Sequence, residues 1–409
     1  PPFLGSLSQI LALRLQKRVK SRRSLLVIGI LVQALTLVPL ICLVLFWSTA
    51  LKAPFILISI AVLYYCALGL TAPAWNSLIG DLVPATLRGQ FLGTRNQKIG
   101  LATCTATAIA GAILNLTANA NQTALGFALI FAIAFGARLY SARCSANYKD
   151  LPYEVRPSSY FSFLQFIRRT PYSNFAKFVL FTGLINGFAA LSAPYFSVFM
   201  LRELNFPYIE FALVTASAMV SGVLTHKHWG RLVDRFGSKN ILTFCSFGVS
   251  ITPTLWLISR YLPYLLFVQL YSGFVWAGFN LASSTFMFDA VTPPKRARCA
   301  AYQGVVTGVF VLFGSLIGAF VAQHLPTSID FGPVTWTPES PLLLIFLLSG
   351  ILRLITAAFF LRRFDEVRPH REKLRLASVF QIAHIKPFAA GELFLIPMRG
   401  KLSRNRKNK

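Results

Sequence analysis

The sequence predicts an all-α polytopic membrane protein built from two matched helical bundles. Three observations carry that reading: blocks of apolar residues long enough to cross a bilayer, basic residues confined to alternate connections, and a chain that repeats itself. Across 409 residues it is 55% hydrophobic, with mean hydropathy +0.60 and only 13% charged residues. That is too apolar for one soluble core. A hydrocarbon layer about 30 Å thick takes roughly 20 apolar residues per helix, and only helices and closed barrels satisfy their own backbone there.

Taken in order, the first apolar run is Pro1–Leu13. It is short, starts at full strength with no signal-peptide pattern ahead of it, and reads as a helix cut by the start of this chain. Leu25–Trp47, Phe55–Ala74, Ile99–Leu116 and Thr123–Ser145 follow. Asn147–Asn174 is polar, aromatic and proline-bearing, and reads as a linker. Beyond it come Phe178–Leu201, Phe211–Leu224, Asn240–Ser259, Leu262–Ala282, Gly304–Gln323 and Pro341–Leu361. The expected domains are therefore a bundle over 1–146, a cytoplasmic linker over 147–174, a six-helix bundle over 175–363 and a basic tail over 364–409, with about 11 transmembrane helices in all. The tail follows Arg362-Arg363 and ends in RNRKNK. Its interspersed Phe, Leu and Ile can rest on anionic lipid, or the tail can simply be solvated.

The net charge of +27 invites a nucleic-acid reading, but its distribution argues against one. Lys and Arg crowd 14–23, 88–98, 143–169, 227–239, 295–298 and 362–409, whereas the opposite connections hold only Lys52, Arg202 and Arg260. This is the positive-inside pattern, and it places the basic connections and the C-terminus in the cytoplasm of a plasma or inner membrane. The six cysteines are spread singly with no metal or redox spacing and read as reduced packing residues. His226, His228, His324, His370 and His384 form no metal or triad arrangement. No Gly-rich phosphate loop with lysine is present either. An enzyme, a metal site and a cofactor are therefore not expected. Two sequons, Asn115-Leu116-Thr117 and Asn121-Gln122-Thr123, fall in what reads as an outer connection.

The chain is written twice. LRLQKRVKSRR (Leu13–Arg23) aligns with GRLVDRFGSKN (Gly230–Asn240), setting Arg14 on Arg231, Arg18 on Arg235 and Ser21 on Ser238, with Lys17 opposite Asp234. GDLVPATLRG (Gly80–Gly89) aligns with FDAVTPPKRA (Phe288–Ala297), matching Asp81 to Asp289 and Arg88 to Arg296. IFAIAFGARLYSA (Ile130–Ala142) parallels IFLLSGILRLITA (Ile345–Ala357), matching Arg138 to Arg353. The offsets of 217, 208 and 215 stay in order, as duplication requires.

Two six-helix halves, each with a charged connection after its second helix, resemble the major facilitator superfamily of secondary transporters, of the bacterial permease type. Gly230, Asp234, Arg235, Gly237 and Lys239 sit where that family's G-x-x-x-D-R-x-G-x-[RK] signature places them, with Arg231 inside it. Asp81–Arg88 and Asp289–Arg296 resemble its segments after the fourth and tenth helices. The resemblance covers about residues 1–363 and implies that the first helix and part of the second lie outside this chain. It also implies a fold of two pseudo-symmetric bundles and a signature loop that latches the cytoplasmic gate in the outward-open state. In the first copy Lys17 reverses the sign and the glycines are gone, which puts a latch there in doubt.

Physical chemistry bears on each candidate residue. Gly230 and Gly237 permit close approach and an unusual turn. Asp234 can accept from arginines or sit at a helix N-terminus; the bland alternative is a connection that is basic only for topology. Gly304, Gly308, Gly314 and Gly318 give one helix a small-residue face for close packing. Arg353 lies nine residues from Arg362, roughly 13 Å along a helix, too deep to snorkel, and no carboxylate lies at comparable depth. Because Arg138 repeats it, and the resemblance puts both on peripheral helices, a structural role is favoured over substrate binding. On helices that line the family's cavity, the mid-depth polar or aromatic residues are Tyr64, Tyr65, Asn186, Gln269, Trp276 and Asn280. Each is open to a packing role as well as to ligand contact. The carboxylates Asp81, Asp289, Asp234, Glu203 and Glu210 sit near helix ends, and the family's proton-coupling arginine motif is not seen between Phe55 and Asn76.

The resemblance thus implies secondary-active or facilitative transport of a small solute by two rocking halves. The alternative is a membrane sensor or scaffold that kept the architecture and lost transport. The expected partners are a small-molecule substrate, a coupling proton or other ion, and the lipid bilayer, with no nucleic acid and a monomeric chain.

Overall fold

The computed structural model describes residues 2–19, 21–46, 53–120, 122–149, 162–168, 172–324, 329–331, 334–336 and 340–367. Its contacts divide the chain into Pro1–Lys373 and Leu374–Lys409. The second unit, and with it the choice between a lipid-bound and a solvated tail, lies outside the described residues. So do most of the linker and the side chain of Lys17.

The first half comprises α1 (Pro2–Val19), α2 (Arg22–Phe46), α3 (Ala53–Leu82), α4 (Arg88–Asn119) and α5 (Thr123–Ala146). A short helix, α6 (Phe163–Arg168), lies in the linker. The second half comprises α7 (Asn174–Val198), α8 (Tyr208–Phe236), α9 (Ser238–Leu255), α10 (Leu262–Ala290), α11 (Arg296–Gln323) and α12 (Leu342–Phe360). A two-stranded antiparallel hairpin, β1 (Ile329–Phe331) and β2 (Val334–Trp336), joins α11 to α12 with Ile329 opposite Trp336. Among the described residues, nine helices are long and apolar enough to cross a membrane. α1 falls short because its apolar part is Phe3–Ala12, and α9 because its 18 residues begin with Ser238, Lys239 and Asn240; the hydroxyls of Ser246, Ser250 and Thr252 farther along return to carbonyls of their own helix.

Two sequence expectations change. Gly230–Asn240 is not an extended charged loop, since α8 runs through it to Phe236 and α9 restarts at Ser238. Arg231, Leu232, Val233, Asp234 and Arg235 do nothing to break a helix, and the stop comes at Gly237, whose φ of 87° suits glycine. Asn115 likewise lies within α4 and not in an outer connection, and Asn121 is outside the described residues.

The packing repeats like the sequence. In the first half α3 packs on α1 and α2, and α2 on α5; in the second, α10 packs on α8 and α9, and α9 on α12. Across the halves α4 lies on α8 and α1 on α11, with α3 touching α11 as α4 touches α10. α7 packs on α11 and α12, and among the described residues no helix takes the corresponding place against α4 and α5. Phe199, Trp256, Leu265 and Phe346 cluster at the end of the second half away from the basic connections. At the other end the chain stays packed past residue 363, because Phe364 is fully buried between the rings of Phe178, Phe181 and Phe286.

The glycine face of α11 serves two partners. A Cβ on Gly304 or Gly308 would strike Gln9 or Ser6 of α1, in the opposite half. One on Gly314 would come 2.0 Å from the Gly187 carbonyl oxygen of α7, and one on Gly318 2.4 Å from that of Leu191. Backbone cannot yield to such an intrusion, and overpacking costs about 1–3 kcal/mol. Gly314→Leu is therefore expected to lower the thermal unfolding temperature of the purified chain by several degrees, and an unchanged melting curve would contradict close packing there.

Candidate functional site

The charged residues shared by the two repeats meet at the end of the molecule that carries the basic connections. Asp81 lies in the last turn of α3 and Asp289 in the last turn of α10. Pro84 and the Pro293-Pro294 pair follow each carboxylate, each at the start of a single 3₁₀ turn, and Arg88 and Arg296 then open α4 and α11. The repeat thus places one carboxylate and one arginine seven residues apart in each half, on either side of the break between two helices.

Each arginine reaches across to the other half. Arg88 donates from Nη1 to Asp289 Oδ1 at 2.9 Å, and Arg296 from Nη1 to Asp81 Oδ1 at 2.7 Å. The exchange is reciprocal but not identical. Arg296 Nη1 also donates to the Gly80 carbonyl at 2.7 Å, and Arg88 Nη2 to the same carbonyl at 3.0 Å. Asp81 takes a second cation from its own half, with Arg22 Nη1 at 2.6 Å from Oδ2, and Arg22 is held by Ser77 Oγ at 2.9 Å. Arg88 and Asp289 have only 4% and 3% of their side chains exposed, whereas Asp81 keeps 22%. The Phe288 ring lies 5.4 Å from the Arg88 guanidinium.

Beside these pairs, Asp234 caps α4. Its Oδ1 accepts from Gly89 N–H at 2.9 Å and its Oδ2 from Gln90 N–H at 2.7 Å, in the first turn of that helix. The first-turn amides have no partner within their own helix and carry the positive end of its dipole. The backbones touch there, since a Cβ on Gly230 would lie 2.5 Å from the Gly89 oxygen and one on Gly89 2.7 Å from that of Gly230. One turn on, Gly93 lies against the His226 carbonyl. Cross-half contact thus runs from Gly89 to Gly100, which meets Val223, while Ala106, Ala110 and Gly111 beyond it are exposed or half-exposed.

The rest of the signature faces elsewhere. Arg231 and Arg235 are exposed, and Arg235 lies 5.1 Å from the Phe236 ring. Lys239 turns to the chain after α12, with Nζ 3.5 Å from Asp365 and its backbone N–H 2.7 Å from Glu366 Oε2. A Cβ on Gly237 would strike that same Glu366 carboxylate.

The cavity candidates do not form one hydrogen-bonded set. Tyr64 is engaged by Arg138, whose Nη2 lies 2.5 Å from the phenol oxygen, and its ring meets Tyr65 edge-on. Asn186 donates to the Thr182 carbonyl at 2.7 Å on its own helix. Gln269, Trp276 and Asn280 share one face of α10, half-buried to exposed, with Trp276 edge-on to Phe279.

Arg353 is buried among α7, α9 and α12 and holds what a proline leaves. Pro253 has no N–H to give the Val249 carbonyl four residues back, and Arg353 Nη1 donates to that carbonyl at 3.1 Å. Its Nη2 reaches Ser192 Oγ at 3.0 Å, and Ser192 passes its proton to Ser349, which donates to the Phe188 carbonyl.

Sequence reasoning missed several partners. Arg22 was findable, since it aligns with Lys239 one step beyond Ser21 and Ser238. Glu366 and Phe364 fall where the repeat ends, and Gly89 joins Gly230 only through the fold. Gln33 was findable too, as the one amide in the apolar run Leu25–Trp47; it is fully buried on α2, and neither amide atom has a hydrogen-bond partner among the described residues.

Removing one partner of a buried ion pair strands the other charge at a cost of about 3–5 kcal/mol. Arg88→Gln should lower the unfolding temperature measurably, and exchanging the pair as Arg88→Asp with Asp289→Arg should recover at least half the loss. A double variant no better than the sum of its singles would show that the two side chains do not interact.

The Major Facilitator Superfamily model matches residues 2–227 and again 179–400. A segment of 116 residues is 28% identical to Multidrug resistance protein 3 of Bacillus subtilis (strain 168), covering 28% of this chain and 23% of that protein. Another of 143 residues is 27% identical to the putative transporter svop-1 of Caenorhabditis elegans, covering 32% and 27%. The matches thus span about a quarter of either relative's length. The fold also superposes on the Escherichia coli fucose:proton symporter with a TM-score of 0.66 at 15% identity over 88% of both chains. The proton:xylose symporter bound to 6-bromo-6-deoxy-D-glucose gives 0.67 at 14% over 90% of this chain and 85% of that one. A bacterial homologue of the iron transporter ferroportin, in an outward-facing state, gives 0.63 at 16% over 88% of both. At such identities the likeness is one of fold.

Proposed function

The chain belongs to the Major Facilitator Superfamily, and from that premise we propose that it moves a small solute across a membrane by alternating access of its two halves. The observation that carries the proposal is the pair of reciprocal bridges, Arg88 to Asp289 and Arg296 to Asp81, confined with the Asp234 cap to one end of the molecule. A carrier must hold one end shut while the other is open, through contacts that break when the halves tilt. These contacts have that character, and the basic connections beside them favour the cytoplasmic side. The arrangement reads as closed toward the cytoplasm.

The roles follow. Asp81, Arg88, Asp289 and Arg296 form the gate, with Arg22 steadying Asp81. Asp234 latches α4 through Gly89 and Gln90, with Gly230 allowing the approach, while Lys239 and Gly237 brace α9. Arg353 serves structure, since its donors go to Val249 and Ser192. Arg138 does the same with Tyr64. Tyr65, Asn186, Gln269, Trp276 and Asn280 remain for the solute, and amides beside aromatic faces suit a hydroxylated one such as a sugar. The sugar names carried by two structural neighbours point the same way.

The test is uptake of a panel of labelled monosaccharides by the purified full chain in liposomes. Wild type should accumulate or exchange at least one of them. Asp234→Asn should reduce that rate about tenfold or more and raise the reactivity of cysteines placed at the basic end. No uptake, with intact folding, would favour the sensor or scaffold reading; unchanged cysteine reactivity in Asp234→Asn would refute the latch.

A further inference from the structure

A cavity of about 230 Å³ lies behind the gate. Ala290, Val291, Thr292 and Lys295 form one wall, and they make up most of the connection between the gate residues Asp289 and Arg296. Phe166 of α6, Ser173 and Phe175 at the start of α7, and Cys299 of α11 complete the lining. The linker wall is fixed by aromatic contacts. Phe166 packs on Phe175 with centroids 6.1 Å apart and on Tyr302 at 5.5 Å, and Phe163 meets Tyr302 at 5.2 Å.

The lining has the make-up of a ligand site, a mostly apolar hollow with a few polar groups of unspent capacity. Among the described residues Lys295 forms no ion pair, and no carboxylate lines the cavity. The Thr292 side chain caps nothing. Ser173 Oγ accepts from Ala176 N–H at 3.3 Å, which leaves its own proton to give. One ammonium and two hydroxyl donors thus stand against Phe166, Phe175, Val291 and Ala290. The positive end of the 25-residue helix α7 adds to the attraction for negative charge.

We propose that this cavity binds an amphiphilic anion, a phosphate monoester or carboxylate on a short apolar body, with Lys295, Thr292 and Ser173 on the head and the aromatic wall on the body. The head can belong to a membrane lipid or to a soluble compound. Its consequence rests on the gate function proposed above: an occupant seated against Val291 and Thr292 holds the Asp289–Arg296 connection in its present position. Because a ligand shifts an equilibrium only by its differential affinity for the two states, it favours the closed gate and slows transport.

Hexyl phosphate is a suitable probe, titrated by calorimetry into the full chain in phosphatidylcholine nanodiscs with hexanol as the uncharged control. Saturable binding of hexyl phosphate and none of hexanol is expected. Lys295→Gln, at an exposed position, should weaken binding about tenfold through loss of a charge-assisted hydrogen bond, and Thr292→Trp should abolish it by filling the hollow. If phosphatidylglycerol in the nanodisc competes with the probe, the natural head is a lipid's; if it does not, the head is a soluble compound's. Wild-type affinity in both variants, or no binding at all, overturns the site. Binding that leaves solute uptake unchanged overturns the link to the gate while transport itself stands.

Discussion

Two carboxylates, each held by an arginine from the opposite half, set the terms for the rest of this molecule. Duplication put an Asp and an Arg seven residues apart at the same end of each half, and the pseudo-twofold arrangement then makes each pair complete only across the interface. Burial sharpens the constraint. Arg88 and Asp289, each under 5% exposed, cannot part without finding water or another partner. A buried ion pair contributes little net stability against hydration, because desolvation offsets most of the attraction. Such a pair suits a contact that must be both specific and breakable.

The bridges need the backbones to come close, and glycine supplies that. Gly89 and Gly230 let α4 and α8 touch main chain to main chain, which brings the first-turn amides of α4 within reach of Asp234. On the other side of the pseudo-axis, Gly304 and Gly308 admit Gln9 and Ser6 of α1. The second half is held together by different means: aromatic packing at the end away from the charged pairs, the Arg353 donor that compensates Pro253, and Phe364 packed between α7 and α10. The halves therefore meet through two kinds of contact, the charged pairs at one end and the close glycine-mediated packing of α4 on α8 and of α1 on α11.

Much of this was legible in the residues. Apolar length and charge sidedness located the helices, and the three aligned segments identified Asp81, Arg88, Asp289 and Arg296 as equivalent. What the repeat could not say was that the pairs exchange partners, because equivalence in sequence leaves open whether a bridge closes within a half or between halves. The charged motif was misread as a loop, since hydropathy falls where α8 continues and only Gly237 breaks it. Asp234 appears in sequence with both options open, arginines or a helix terminus, and the geometry places its carboxylate on the first-turn amides of α4. Nothing in a linear chain shows that Arg138 reaches the Tyr64 hydroxyl. Gln33 stands out in sequence as the one amide of its apolar run, but that it lacks a partner is a property of packing alone.

The account turns on whether the reciprocal bridges hold the basic ends of the halves together. The direct measurement is the distance between spin labels at exposed positions 87 and 231 in an otherwise cysteine-free chain, taken with the bridges intact and with Arg88 and Arg296 both replaced by Gln. Intact bridges should give one short, narrow distribution, and their loss should add a longer component. Identical distributions would mean that something other than these four side chains keeps that end shut.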